Sequence, residues 1–269
     1  MKYIKYFIQF FIIIILFLVF KIIGFEKASN FGSLIGKVFG KIIKSDKVIL
    51  KNLEIIKNNS KIKIENNANI VENVFSNYGR ILSEYVFLKQ FRNGSLKKHV
   101  NIIGSENLKK IKSENKKVVF VSGHFNNFEL MAMFIEAAGI NLAAIYRPLN
   151  NIFLNPIMEK MRVKFICKNQ IKKGIGGTRE LINYLKKDFS VALMIDQRVS
   201  EGILSNLFGK PAYTTTIPAQ IVKKFNCEIV PVYIERIDNL KFNLIFQEPI
   251  KFDQKIGINE ITDNLNILL

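Results

Sequence analysis

His124 and Glu129 stand five residues apart in the segment Val118–Val119–Phe120–Val121–Ser122–Gly123–His124–Phe125–Asn126–Asn127–Phe128–Glu129. A histidine titrating near neutrality can take a proton from a hydroxyl, and a carboxylate on its other ring nitrogen fixes the tautomer and stabilises the imidazolium. The chemistry this pair offers is hydroxyl activation. Two features single out this histidine. The chain holds two histidines, and the other, His99, follows Lys97 and Lys98 in a stretch that reads as solvated loop. Gly123 directly precedes His124, and a residue without Cβ lets backbone approach a bound group closely. The spacing argues against zinc, because a metalloprotease helix sets His at i and i+4 with a third ligand, and no third histidine is present.

The elements that must hold this pair are legible around it. Val118–Val121 reads as a short buried strand, and Asn126 or Asn127 can cap a helix beginning around Phe128. The pair then straddles a strand-to-helix turn, with both side chains able to face one crevice. Strand signals recur at Leu142–Tyr146, Val163–Cys167, Val191–Ile195 and Ile229–Ile234, alternating with helical segments to Ala138, over Ile152–Met161, Thr178–Leu185 and Thr215–Phe225. That alternation predicts an α/β fold with a largely parallel sheet flanked by helices, and Phe242–Gln247 reads as a closing antiparallel strand. Upstream, Val71–Phe91 carries helical apolar spacing, and the Asn/Lys-rich piece Asn58–Asn69 reads as a surface loop.

In open α/β sheets ligands bind beyond the carboxyl ends of the strands. His124, Arg147 and Asp196 all follow directly on strand signals and are expected at that one edge. Taken alone, Arg147 also fits a surface ion pair and Asp196 a turn. Gly174–Ile175–Gly176–Gly177–Thr178 fits a flexible loop capped by Thr178 or a phosphate site at a helix start, yet it lacks the Walker lysine and the GxGxxG spacing.

Composition narrows the class. The 269 residues suffice for one α/β domain plus a short membrane segment, and 49% hydrophobic content with 23 Phe and no Trp fits a membrane-associated globular protein. The net charge of +18 follows partly from Lys, Asn and Ile enrichment throughout, and it suits anionic headgroups, phosphorylated lipids and an acidic carrier protein. Nucleic acid is not an expected partner, since the lysines are dispersed without a recognition motif or stacking aromatics. Cys167 and Cys227 lie in or beside apolar stretches and read as buried reduced thiols.

Phe7–Phe20 is apolar except for Gln9, and no small-x-small cleavage site follows closely, so residues 1–25 read as a retained membrane anchor. Lys2 and Lys5 precede the run, whereas Lys21, Lys27, Lys37, Lys41, Lys44, Lys47 and Lys51 follow it, which predicts a catalytic body, residues 26–269, facing the cytoplasm. In Phe31–Ile43, Leu34, Ile35, Val38, Phe39 and Ile42 can share one face and lie in the membrane interface.

Gly123–His124–Phe125–Asn126–Asn127–Phe128–Glu129 resembles the GHFGNWE-type HxxxxD/E motif of the bacterial lipid A biosynthesis (late) acyltransferases, of lauroyl/myristoyl transferase type. Further blocks are similar and fall in family order. Tyr146–Arg147–Pro148–Leu149 resembles the YRP block and Arg162 its following Arg. Asp196–Gln197 resembles the DQ block, Phe208–Gly209–Lys210–Pro211–Ala212–Tyr213–Thr214 the FFGxPAxT block, and Val230–Pro231 with Arg236 a later strand. The similarity runs from about Phe10 to Leu269, and Phe128 and Ile217–Pro218 depart from the usual Trp and Gly-Pro. Neither departure touches a proton-transfer group.

The resemblance implies an acyltransferase-like fold in the bacterial inner membrane, a fatty acyl donor carried as an acyl carrier protein thioester or acyl-CoA, and an anionic glycolipid acceptor. It also implies His124 as general base with Glu129 orienting it, and Arg147, Arg162, Asp196 and Gln197 in substrate binding. No cofactor and no metal are implied. Attack is expected to be direct, because no Ser or Cys stands in an elbow or triad arrangement. The family's further helix and Trp/Arg-rich end would lie past Leu269.

Overall fold

Runs of β-branched and apolar residues such as Val118–Ser122 form the central strands of a sheet. The computed structural model describes residues 2–59 and 66–269. Its strands are β1 (Val100–Ile103), β2 (Val118–Ser122), β3 (Leu142–Tyr146), β4 (Asn169–Lys172), β5 (Ser190–Met194), β6 (Ile203–Leu207), β7 (Lys210–Thr214), β8 (Glu228–Ile237) and β9 (Lys241–Phe246). Its helices are α1 (Lys2–Ile23), α2 (Phe25–Ile43), α3 (Lys47–Asn59), α4 (Asn67–Glu84), α5 (Leu88–Arg92), α6 (Ser105–Ser113), α7 (Glu129–Ala137), α8 (Asn155–Met161), α9 (Ile175–Lys186), α10 (Ile217–Phe225) and α11 (Ile258–Ile267).

The chain divides into two compact units, one of Met1–Phe10, Leu88–Ser205 and Tyr213–Leu269, the other of Phe11–Phe87 and Asn206–Ala212. The first holds a seven-stranded sheet in the order β1-β9-β8-β2-β5-β3-β4. β2 pairs in parallel with β5 and β8, and β3 with β5 and β4. All five residues of β2 are buried, as expected for a central strand covered on both faces. Val119, Val121, Ala143, Val191 and Ile229 pack there with Leu181 and Leu185 of α9, Ile221 and Val222 of α10, and Ile261 and Leu265 of α11.

Several expectations need correction. Val163–Cys167 is not a strand: α8 runs on as a π-helical turn over Arg162–Ile166, closed by Cys167 N donating to Arg162 O at 3.0 Å, and the next strand is β4. Val163 is exposed and Ile166 buried, a helical rather than an alternating pattern of burial. β9 is antiparallel to β8 but does not close the sheet, because β1 adds beyond it in parallel. His99 is buried, not solvated, and its Nδ1 lies 3.1 Å from Leu240 O. Of the expected loop Asn58–Asn69, residues 60–65 lie outside the described residues, Asn58 and Asn59 belong to α3, and Asn66 caps α4 by accepting from the backbone N–H groups of Ala68 and Asn69. β6 and β7 form a two-stranded ribbon turning at Phe208 and Gly209, both with positive φ, the geometry two-residue hairpins prefer.

In the second unit α2 and α4 approach so closely that a Cβ on Gly32 would strike Gly79 O, and one on Gly36 would strike Phe75 O. Buried polar groups accompany the glycines. Ser29 Oγ donates to Glu84 Oε1 at 2.7 Å, Arg80 Nη1 donates to Ser29 Oγ and Asn30 Oδ1 at 3.0 Å, and the Ser33 and Ser76 hydroxyls lie 2.7 Å apart. Among the described residues, α1 is the helix long and apolar enough to cross a membrane. Its 22 residues span about 33 Å against a hydrocarbon core of about 30 Å.

Candidate active site

β2 and β5 are in register at Ser122 and Met194, and Ile195 N donates to Ser122 O at 2.9 Å. Counting two residues past each end brings His124 against Asp196. The Asp196 carboxylate takes both bonds this turn offers: His124 N donates to Oδ2 at 2.8 Å, and His124 Nδ1 lies 2.7 Å from Oδ1. The carboxylate thus fixes the main chain of the turn and the imidazole together. Burial would raise the Asp196 pKa, but the hydrogen bonds from the His124 side chain and backbone outweigh it and hold the carboxyl below the usual aspartate range.

The loop is pinned elsewhere too. Phe125 N donates to Gly123 O at 2.8 Å, and Asn126, at φ 39°, donates from Nδ2 to Ile234 O on β8 at 3.1 Å. The helix cap falls on Phe128 rather than on Asn126 or Asn127, and the Phe128 ring meets the His124 ring edge-on with centroids 4.8 Å apart. Gln197 Nε2 lies 3.4 Å from His124 Nε2. With Nδ1 donating to Asp196, Nε2 keeps its lone pair.

Glu129 opens α7 and turns elsewhere. Its buried Oε1 accepts from Arg162 Nε at 2.9 Å and Nη2 at 2.5 Å. The expectation that Glu129 orients His124 is therefore corrected: Asp196 occupies Nδ1, and Glu129 anchors a guanidinium. Arg162 opens the π-helical turn, and its guanidinium also lies 5.6 Å over the Tyr146 ring. Tyr146 Oη donates to Glu159 Oε1 at 2.6 Å. Burial, then that bond to a carboxylate, push the phenol pKa well above its usual value, while the phenol's bond keeps Glu159 low.

His124, Glu129, Arg147, Arg162 and Gln197 all line one cavity of about 1140 Å³. Its apolar wall includes Phe120, Met131, Ile135, Ala144 and Leu181, and Lys172, Lys173 and Arg179 add positive charge. Arg147 and Asp196 thus share the strand edge with His124 as expected. The glycine loop is shorter than expected. α9 starts at Ile175 after Gly174, whose φ of 141° suits glycine alone, and a Cβ on Gly177 would strike Lys172 O.

A family model described as bacterial lipid A biosynthesis acyltransferase matches residues 1–269. The chain belongs to this family. It is accordingly an acyltransferase of lipid A biosynthesis that acts on lipid. No curated protein matches the chain. For an acyltransferase the cavity offers what the reaction needs: an oriented imidazole, cationic groups for anionic substrates, and an apolar wall against which a hydrocarbon chain can lie. The resemblance implies Asp196 in substrate binding and its place after a strand puts it near His124, but neither signals the hydrogen-bonded pairing of the two. The shared two-residue offset from two neighbouring strand ends would have revealed it, had the pairing of those strands been known. Tyr146 and Glu159 were missed as a supporting pair, and their spacing of 13 residues carries no signal by itself.

Proposed function

We propose that this acyltransferase is membrane-bound and moves a fatty acyl chain from an acyl carrier protein thioester to a hydroxyl of a lipid A precursor. The observation that carries the reading is His124, paired with Asp196, lining an apolar-walled, cation-lined cavity. His124 Nε2 takes the proton of the acceptor hydroxyl as its oxygen attacks the thioester carbonyl. Asp196 holds the tautomer and offsets the imidazolium charge. The tetrahedral intermediate collapses by breaking the C–S bond, and the imidazolium returns its proton to the departing sulfur, so no acyl-enzyme forms. Arg162, held by Glu129, and Arg147 place cationic donors near the developing oxyanion or an acceptor phosphate. Gln197, beside Nε2, positions the acceptor hydroxyl. The apolar α1 supports anchoring in the inner membrane, and the lysine excess following it supports a catalytic body on the cytoplasmic side.

The test is acyl transfer by the purified full chain in detergent or vesicles. Acyl carrier protein thioester and acyl-CoA are compared as donors, and phosphorylated lipid A precursor, lysophospholipid and aminolipid as acceptors, with products read by mass spectrometry. Transfer to the lipid A precursor that vanishes in His124→Ala supports the proposal. Preference for a different acceptor would replace the acceptor assignment, and full activity in His124→Ala would overturn the mechanism.

A further inference from the structure

α2 turns one face to α4 and leaves another bare. Ser29, Gly32 and Ser33 are buried in the unit, whereas Leu34, Val38, Phe39, Ile42 and Ile43 are each at least half exposed and Phe31 is partly so. Positions 31, 34, 38 and 42 recur at helical spacing, so these side chains form one apolar stripe. The charges beside it are nearly all of one sign. Lys37 and Lys41 border the stripe, Lys44 ends it, and Lys47 and Lys51 follow on α3, while Glu26 in the first turn is the acidic residue of α2. Lys37 pairs with Glu72 of α4 at 2.8 Å, but both side chains are exposed, so another anion can replace that carboxylate.

An apolar stripe edged by cations fits one partner chemistry, acyl chains under an anionic headgroup layer. The covalent path points the same way. Gly24 alone, at φ 81° and ψ 165°, separates the end of α1 from the start of α2, so α2 begins where the membrane-crossing length of α1 stops. We propose that α2 lies along the headgroup–acyl boundary of an anionic bilayer, with Phe31, Leu34, Val38, Phe39 and Ile42 among the acyl chains and Lys37, Lys41 and Lys44 at the phosphates. This placement stands apart from the catalytic reading and holds or fails without it.

The native thiols make the test direct, because Cys167 and Cys227 are 0% and 4% exposed and leave an added surface cysteine as the reactive one. Leu34→Cys, Val38→Cys and Ile42→Cys in the full chain, with Lys109→Cys on α6 as the solvent control, carry an environment-sensitive fluorophore. Each is reconstituted in phosphatidylcholine vesicles with and without phosphatidylglycerol. The expected result is blue-shifted emission at the three α2 positions and quenching by acyl-chain spin-labelled lipid several-fold stronger than at position 109. Aqueous iodide should show the reverse order. Lys37→Gln with Lys41→Gln should reduce the lipid quenching in anionic vesicles, and so should added salt, which shortens the reach of exposed charges to about 10 Å at 0.1 M. Iodide access at α2 equal to that at position 109 would overturn the proposal. Protection from iodide without quenching by labelled lipid would overturn it as well, by showing a protein partner on the stripe.

Discussion

Replacing the carboxylate of Asp196 by an amide tests the catalytic geometry most directly. In Asp196→Asn the side chain keeps its size, but its charge is gone and it offers one acceptor where two bonds from His124 now end, at 2.7 and 2.8 Å. With the charge centres roughly 4 Å apart and the two side chains each 32% exposed, an effective dielectric of about 20 to 40 makes the attraction for an imidazolium roughly 2 to 4 kcal/mol. Lost only as the proton moves to His124, that energy lowers kcat by about 30- to 1000-fold, at about 1.4 kcal/mol per decade. KM should change little, since the neutral imidazole of the ground state feels the charge weakly. The assay is steady-state transfer with saturating donor, paired with a thermal melt to confirm folding. The sign with pH also follows. The depressed Asp196 pKa means that the carboxylate's contribution to stability is present above the usual aspartate range and lost as pH falls through the folded-state value. The melting difference between wild type and variant should therefore shrink in acid. Near-normal kcat in Asp196→Asn, with Glu129→Gln abolishing turnover, would refute this reasoning and return the orienting role to Glu129.

Glu129→Ala and Arg162→Ala should each reduce kcat/KM by roughly 10²-fold or more, and the double variant by little beyond either single one, because the two act as one unit; additive losses would separate them. Arg147→Ala should raise KM for a phosphorylated acceptor more than it lowers kcat, with the melt unchanged, and an unchanged KM would remove it from acceptor binding. Gly79→Ala places a methyl against Gly32 O and should cost at least about 1–3 kcal/mol, read as a lowered Tm. Burial raises the Cys167 and Cys227 thiols to about 12 and about 11, so both should resist alkylation at pH 8 in the folded protein and react rapidly in denaturant.

Local patterning made much of this fold readable. β2, β3, β5 and β8 are apolar runs at the expected places, and the His124 turn lies between a strand and a helix as its residues require. What failed depended on contacts distant in sequence or on unusual backbone. Val163–Phe165–Ile166 has strand-like composition, but α8 continues through it, and nothing in the residue types marks a π-helical turn. β1 is four residues long and three of them, Asn101, Ile102 and Ile103, are exposed in a row, so no alternation announces it. The site shows the same division. His124 was legible from its type and neighbours, and Arg147 and Asp196 from their positions after strands. That Asp196 rather than Glu129 meets the His124 ring was not legible, because a carboxylate five residues away is nearer in sequence than one 72 residues away, and only the β2–β5 register reverses that order.

The close seam of α2 on α4 has a consequence for where this unit can exist. A helix pair joined by large apolar side chains draws its strength from water, since the gain comes from removing those side chains from it. Gly32, Gly36 and Gly79 instead bring main chains into contact, and Ser29, Ser33, Ser76, Arg80 and Glu84 bond across the seam. Dispersion between touching backbones and hydrogen bonds between buried groups do not need surrounding water, and helices within hydrocarbon associate through the same two forces. Apart from the burial of Phe75 against Gly40, the seam therefore leans on forces that persist beside lipid as well as in water.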